Sequence, residues 1–247
     1  MTTTTLTARQ RVGAVTGAII APLQWGYLND RPEAVAALAR LRRGAGKQFS
    51  EMPDLWGLAD TRPLHAPPAD GGRVLREDEL IRAEDAVHVA LTLWALHQQS
   101  QSQGMHQAHR PTAPRGLGAA VRRLMPPNEI AEPLRKRLVR AGNAADLPAV
   151  AQRLRDLVVL LRAGDVQLDY ALLAEQLYHW QEPGGRDAVR REWGRSFQAV
   201  RASDDTSGKA PGSSAPAGTT SPSSGDSTVA NPGDNTGFTD SIDKDAS

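Results

Sequence analysis

Between residues 147 and 161 the large apolar side chains fall at Leu147, Val150, Leu154, Leu157 and Leu161. Steps of three and four place all five on one stripe of a 3.6-residue helix. Asp146 stands before the stripe as an N-cap, and Gly164 follows it as a stop. The same spacing predicts helices over 8–28 with a break at Pro22, and over 33–43, 83–99, 115–125 and 129–141. Asp169 is placed to cap a helix from Tyr170 to Trp180 whose Leu172, Leu173, Leu177 and Trp180 face inward. Pro183 is placed to open a last helix through Val189, Trp193 and Phe197. β-Branched runs bounded by turns, the mark of strands, do not occur. The expectation is an all-α helical bundle.

Two loops punctuate the pattern without dividing it, one around Pro63, Pro67, Pro68, Gly71 and Gly72 and one from Gln98 to Pro114. From Ser203 onward the chain is Ser, Thr, Gly, Pro, Ala and Asp, with almost no large apolar residue before Phe238 and Ile242. Such a stretch cannot bury enough surface to offset the entropy of ordering it. The expected organisation is therefore an α-helical domain over 1–202 and a disordered acidic Ser/Gly/Pro-rich tail over 203–247. The longest apolar run, Ala14 to Leu23, is broken by Thr16, Gly17 and Pro22, so no spanning helix or secretory segment is expected. That points to a cytoplasmic protein with no membrane partner. The absence of cysteine excludes disulfides, thiolate metal sites and a cysteine nucleophile.

A formal charge of +1 conceals a division. Residues 203–247 hold two lysines against seven aspartates, which leaves the body at +6. Within the body, Arg110 to Arg140 carries eight basic residues (Arg110, Arg115, Arg122, Arg123, Arg135, Lys136, Arg137, Arg140) against Glu129 and Glu132. That segment alone equals the whole excess. A cluster of this kind fits a polyanion partner, because each phosphate neutralised releases counterions. It also fits a solvated helix face in an arginine-rich chain, since arginines outnumber lysines 25 to 4.

Residues that could carry chemistry do not converge. His106 and His109 have a ligand-like separation but lie in a Gln-rich loop with no carboxylate or cysteine beside them in sequence, so no metal site is expected. His88, His97 and His179 fall within helices beside Trp94 or Trp180, and His65 lies in the Pro-rich loop. Gly116-Leu117-Gly118 lacks the preceding strand and the further glycines and lysine of a phosphate loop. No carboxylate pair stands out as an acid–base couple, so neither an enzyme nor a cofactor is expected. Of the five tryptophans, Trp56, Trp94, Trp180 and Trp193 read as core anchors, and Trp25 as the exception open to base stacking.

Taken in order, several short motifs resemble the small-subunit family of the type I-E CRISPR Cascade complex, the CasB family. They are Ala39-Arg40-Leu41-Arg42-Arg43-Gly44, Met52-Pro53-Asp54-Leu55-Trp56, the helix Arg82 to Leu96, and Gly116-Leu117-Gly118-Ala119-Ala120. Leu138-Val139-Arg140-Ala141, Leu154-Arg155-Asp156-Leu157-Val158, Leu168-Asp169-Tyr170 and Leu177-Tyr178-His179-Trp180 complete the series, which spans about residues 8–200. The resemblance implies a non-catalytic subunit, present in two copies, that works with CRISPR RNA, target DNA and the backbone, large and other subunits of Cascade. It also implies nucleic-acid binding without sequence preference along the target and displaced strands of the R-loop, while base pairing reads the sequence.

Carried onto this chain, the resemblance points to Arg42, Arg43, Arg82, Arg115, Arg123, Arg140 and Arg155 as nucleic-acid contacts. Helical spacing selects an overlapping set, with Lys136 and Arg140 projecting away from Ile130, Leu134 and Leu138, and Arg122 and Arg123 lying off the stripe of Leu117, Val121 and Leu124. Two features depart from the family pattern. Trp25 stands where a basic residue is expected in many relatives, and the long acidic tail exceeds what the family needs. The rival readings are a helical protein-interaction module whose arginines meet acidic partner surfaces, and a helix-turn-helix regulator turning at Gly142-Asn143-Ala144.

Overall fold

Helix α1 (Ala8–Leu28) begins at a reciprocal cap. The Thr7 hydroxyl accepts from the Gln10 amide N–H, and the Gln10 side chain accepts from the amide of Thr7. The structure, a computed structural model, describes residues 5–55, 57–67 and 71–207. The expected break at Pro22 is absent, and α1 runs through it. Ala14, Ala18 and Pro22 share the exposed side of the helix, so the carbonyl that Pro22 leaves without a donor faces water.

Helix α2 (Pro32–Arg43) follows, with proline in its first turn. Two single 3₁₀ turns (Phe49–Glu51 and Pro53–Leu55) and a one-turn helix α3 (Arg62–His65) come next, so the Pro-rich loop holds some structure. Helix α4 (Glu77–Gln98) starts six residues before its expected position. Glu77, Asp78 and Glu79 occupy its first turn, where carboxylates complement the helix dipole, and Glu79 also accepts from the Arg76 amide. Residues Ala86 to Ala95 of α4 are buried all round, which makes it the central helix. It packs against α1, α2, α7 (Leu147–Ala163) and α8 (Tyr170–Trp180). Helices α5 (Leu117–Arg123), α6 (Glu132–Gly142) and α9 (Gly185–Ser207) complete the bundle, with α5 against α9 and α6 against α7.

Asp146 and Asp169 cap α7 and α8 as expected, accepting from the amides of Ala149 and Leu172 at 2.8 and 2.9 Å. Pro183 lies in the turn before α9, and the chain passes through Gly184 at φ 75° before the helix begins. Among the described residues there are nine α-helices and no strand, so the chain is an all-α bundle. Trp94, Trp180 and Trp193 are core residues. Trp94 and Trp193 donate from Nε1 to Gln24 and Gln176 at 3.3 and 2.7 Å. The described residues fall within one compact unit, Met1–Lys209. Trp56, Pro68 and the expected tail from residue 208 lie outside the described residues.

Candidate nucleic-acid interface

Basic side chains divide by whether a carboxylate holds them. Arg9, Arg62, Arg73, Arg76, Arg82, Arg135 and Arg190 each form an ion pair. Among the described residues no carboxylate pairs with Arg42, Arg43, Lys47, Lys136, Arg137, Arg140, Arg153 or Arg155, and helix packing brings most of these into one run of surface. The run begins at the last turn of α2, with Arg42 and Arg43. The turn beyond it lies against α7: a Cβ added to Gly46 would meet Gln152 Oε1 at 2.5 Å and Arg155 Cδ at 3.3 Å. On the opposite flank of α7, the Arg153 guanidinium donates to the carbonyl of Arg140 on α6. Beyond the end of α6, Arg190 of α9 donates to Asn143 Oδ1, and its side chain lies over Gly142.

Helix α7 is thus bordered by two sets of cations about a helix diameter apart, roughly 10 Å. Burial fixes this arrangement, since Val150, Leu154, Leu157, Val158 and Leu161 face the core and leave Arg153 and Arg155 on opposite edges. Lys136 and Arg140 are exposed on α6, as their spacing from Leu138 predicts.

The remaining expected contacts fall elsewhere. Arg122 does not project from α5. It is 2% exposed, and its guanidinium donates to the carbonyls of Pro126 and Pro127, closing the chain around the helix end. Helix α5 is covered on both sides, so the stripe of Leu117, Val121 and Leu124 is not its only buried surface. Arg123 donates to the carbonyl of Pro114. Arg115 lies in the preceding loop, where its amide donates to His109 Nδ1 at 3.1 Å and its carbonyl accepts from Asp169 at 2.8 Å. Arg82 pairs with Asp78 at 2.9 Å beside the end of α8.

His106 and His109 organise that loop. His109 donates its amide to Asp169 Oδ2 at 2.7 Å, and His106 Nδ1 accepts from the amide of Tyr170 at 3.1 Å. Burial holds His106 below its ordinary value, against the opposing pull of Asp169. Among the described residues no group of three or more His, Cys, Asp or Glu could hold a metal ion. No described helix is long and apolar enough to cross a membrane. Gly118 serves packing: a Cβ there would lie 1.9 Å from the carbonyl oxygen of Trp193.

Spacing within single helices could not have found Arg153 and Arg190. Arg153 lies at the edge of its own apolar stripe, and only the packing of α6 beside α7 and α9 brings Arg153 to Arg140 and Arg190 to the end of α6 at Gly142 and Asn143.

An all-α bundle that gathers unpaired guanidinium groups along α2, α7 and α6 defines a class, the helical protein with an arginine-rich surface. Over residues 37–197 the chain matches the family model of CRISPR-associated protein Cse2. It is 48% identical to CasB from Thermobifida fusca, covering 78% of this chain and 99% of that one with a TM-score of 0.62. A solved chain of a CRISPR RNA-guided surveillance complex shares the fold at 21% identity, with a TM-score of 0.55 over 80% of this chain and 99% of that one. No match is found among curated proteins. The chain belongs to the CRISPR-associated Cse2 (CasB) family.

Proposed function

We propose that this chain is a non-catalytic subunit of a type I-E CRISPR RNA-guided surveillance complex in the cytoplasm. In this reading it binds nucleic acid without sequence preference and steadies the target and displaced strands of the R-loop. Its partners are the CRISPR RNA, target DNA, the backbone and large subunits, and a second copy of itself. The observation that carries the reading is a run of cations without carboxylate partners among the described residues, on a member of the Cse2 family. Opening a duplex against a guide is a near-balanced exchange, so a few phosphate contacts tip it, and base pairing supplies the sequence readout. Arg42, Arg43, Lys136, Arg140 and Arg155 are the contacts we retain, with Arg153 added; Arg190 borders them but is paired with Asp187. Arg115 and Arg123 form a separate group at the 109–115 loop. Arg122, held inside the body by carbonyls, and Arg82, paired with Asp78, are left out.

Replacing Lys136, Arg140 and Arg153 together by alanine tests this. Binding to duplex DNA should weaken, and the slope of log K against log salt should flatten by about 0.9 for each phosphate that the variant no longer neutralises. Replacing the ion-paired set Arg62, Arg76 and Arg135 removes the same formal charge and should change the slope little. In the assembled complex the first variant should shorten the lifetime of the displaced strand, read by permanganate footprinting. Equal slopes for the two sets would overturn the placement of the surface. Wild-type protein that ignores bare nucleic acid at low salt would favour the helical protein-interaction module instead.

A further inference from the structure

Trp25 is 59% exposed, whereas Trp94, Trp180 and Trp193 are at most 2% exposed. The exposure is built into the end of α1, because the neighbours of Trp25 are tied to the body. Gln24 Oε1 accepts from Trp94 Nε1 at 3.3 Å and from the His106 amide at 2.9 Å, and its Nε2 donates to the His106 carbonyl at 3.1 Å. The Tyr27 hydroxyl accepts from the Ser100 amide at 3.0 Å, and Asn29 Nδ2 donates to the Trp25 carbonyl at 2.8 Å. Gln24 and Tyr27 therefore point inward and hold the indole outward. The Arg31 guanidinium lies 5.5 Å from the centroid of the Trp25 ring.

The chain leading up to this indole is free of carboxylates. No Asp or Glu occurs in residues 1–29, which include α1, or in residues 86–128, which include the loop tied to Gln24. In sequence that loop carries Gln99, Gln101, Gln103 and Gln107, and then Arg110 and Arg115. The acidic residues next in sequence are Asp30, in the turn to α2, and Glu33, in its first turn, and Asp169 accepts from the His109 amide of the loop. A fixed, exposed aromatic face beside an arginine suits an uncharged π surface attached to an anion. An unpaired nucleobase is that ligand: the base stacks while its phosphate meets the guanidinium.

We infer that Trp25, with Arg31, is a stacking platform for an unpaired base of single-stranded nucleic acid, an inference that rests on the nucleic-acid reading above. A stacking site differs from a phosphate contact in a measurable way, since it distinguishes bases from backbone and adds nothing to counterion release.

The test compares wild type, Trp25→Ala and Trp25→Phe by anisotropy with labelled oligothymidylate, oligouridylate, an abasic strand of equal length and a duplex. Trp25→Ala should weaken oligothymidylate binding about tenfold, within the range of one base–aromatic stack. It should leave abasic-strand and duplex binding and the salt slope unchanged. Trp25→Phe should retain most of the affinity, and the two homopolymers report whether DNA or RNA is preferred. Because Trp25 is exposed, the melting temperature should match wild type. Equal losses on the abasic strand and oligothymidylate would overturn the platform, as would no loss on either homopolymer. Unchanged nucleic-acid binding with lost co-purification of another protein subunit would assign Trp25 to a protein interface. Wild-type protein that binds none of the four probes would instead remove the nucleic-acid reading itself.

Discussion

His97 lies inside the bundle, with Nδ1 2.9 Å from the Tyr170 hydroxyl. Burial lowers its pKa from 6.5 to about 4, so the folded protein holds it neutral at pH values where the unfolded chain takes up a proton. The sign follows from linkage. Stability is undiminished above pH 6.5, declines as pH falls from there, and has lost this full contribution below about 4. The limiting loss is roughly 3 kcal/mol at about 1.4 kcal/mol per unit. Buried His88 and His106 are shifted the same way and add to the decline. Glu79, held at about 2 chiefly by its hydrogen bond from Arg73, loses its own stabilisation only as pH falls below the ordinary carboxylate range. Melting temperature should therefore fall between pH 7 and 5, before that carboxylate titrates. His97→Gln keeps a hydrogen-bonding group near Tyr170 but cannot be protonated. Although less stable at pH 7, it should show a shallower slope; an unchanged slope would contradict the assignment.

Helices α5 and α9 meet closely because Gly118 has no side chain. A Cβ at that position would lie 1.9 Å from the Trp193 carbonyl oxygen and 2.8 Å from the Phe197 amide nitrogen, both backbone atoms that cannot rotate away. Gly118→Ala must force the helices apart, and should cost about 1–3 kcal/mol or more, read by chemical denaturation. Gly194, on the outer side of α9, has nothing within 4 Å of an added Cβ. Gly194→Ala should stabilise by roughly 0.5–1 kcal/mol, since alanine loses less backbone entropy in a helix. Opposite signs for two glycines on contacting helices would separate packing from propensity. The Gly-Leu-Gly motif was legible as a motif, and its lack of a phosphate-loop context was legible too. Its role in helix approach was not, because α9 lies some seventy residues further along the chain.

For the whole molecule, charge and chain length set the expectation. Residues 208–247 contain five aspartates and two lysines and few large apolar side chains. Because α9 extends to Ser207, truncation belongs after that residue rather than at the composition boundary near 202. Removing 208–247 should shift the melting temperature by no more than about a degree, as such a segment contributes little apolar burial. It should also strengthen nucleic-acid binding slightly at low salt, an effect that fades as salt screens the negative charge. A fall of several degrees would show that these residues contribute to the stability of the body.

The helices, their caps at Asp146 and Asp169, and the tryptophans of the core were legible in the sequence because they depend on spacing along one element. An earlier start for α4 was also available, in the acidic residues Glu77, Asp78 and Glu79. Continuity through Pro22 was not, since it depends on which side of α1 meets water. The excess of arginine in Arg110 to Arg140 was plain, but its division was not. Arg122 turns inward to carbonyls, Arg123 closes on Pro114, and Lys136 and Arg140 stay on the surface. Periodicity assigns a side chain to one face of its own helix, whereas burial depends on how many neighbours cover that helix, and α5 is covered on both sides. Spacing thus determined the class of fold, and composition the sign of the body's net charge. Tertiary packing alone decided which cations meet, by laying α6 beside α7 and α9 so that residues far apart in sequence share one edge.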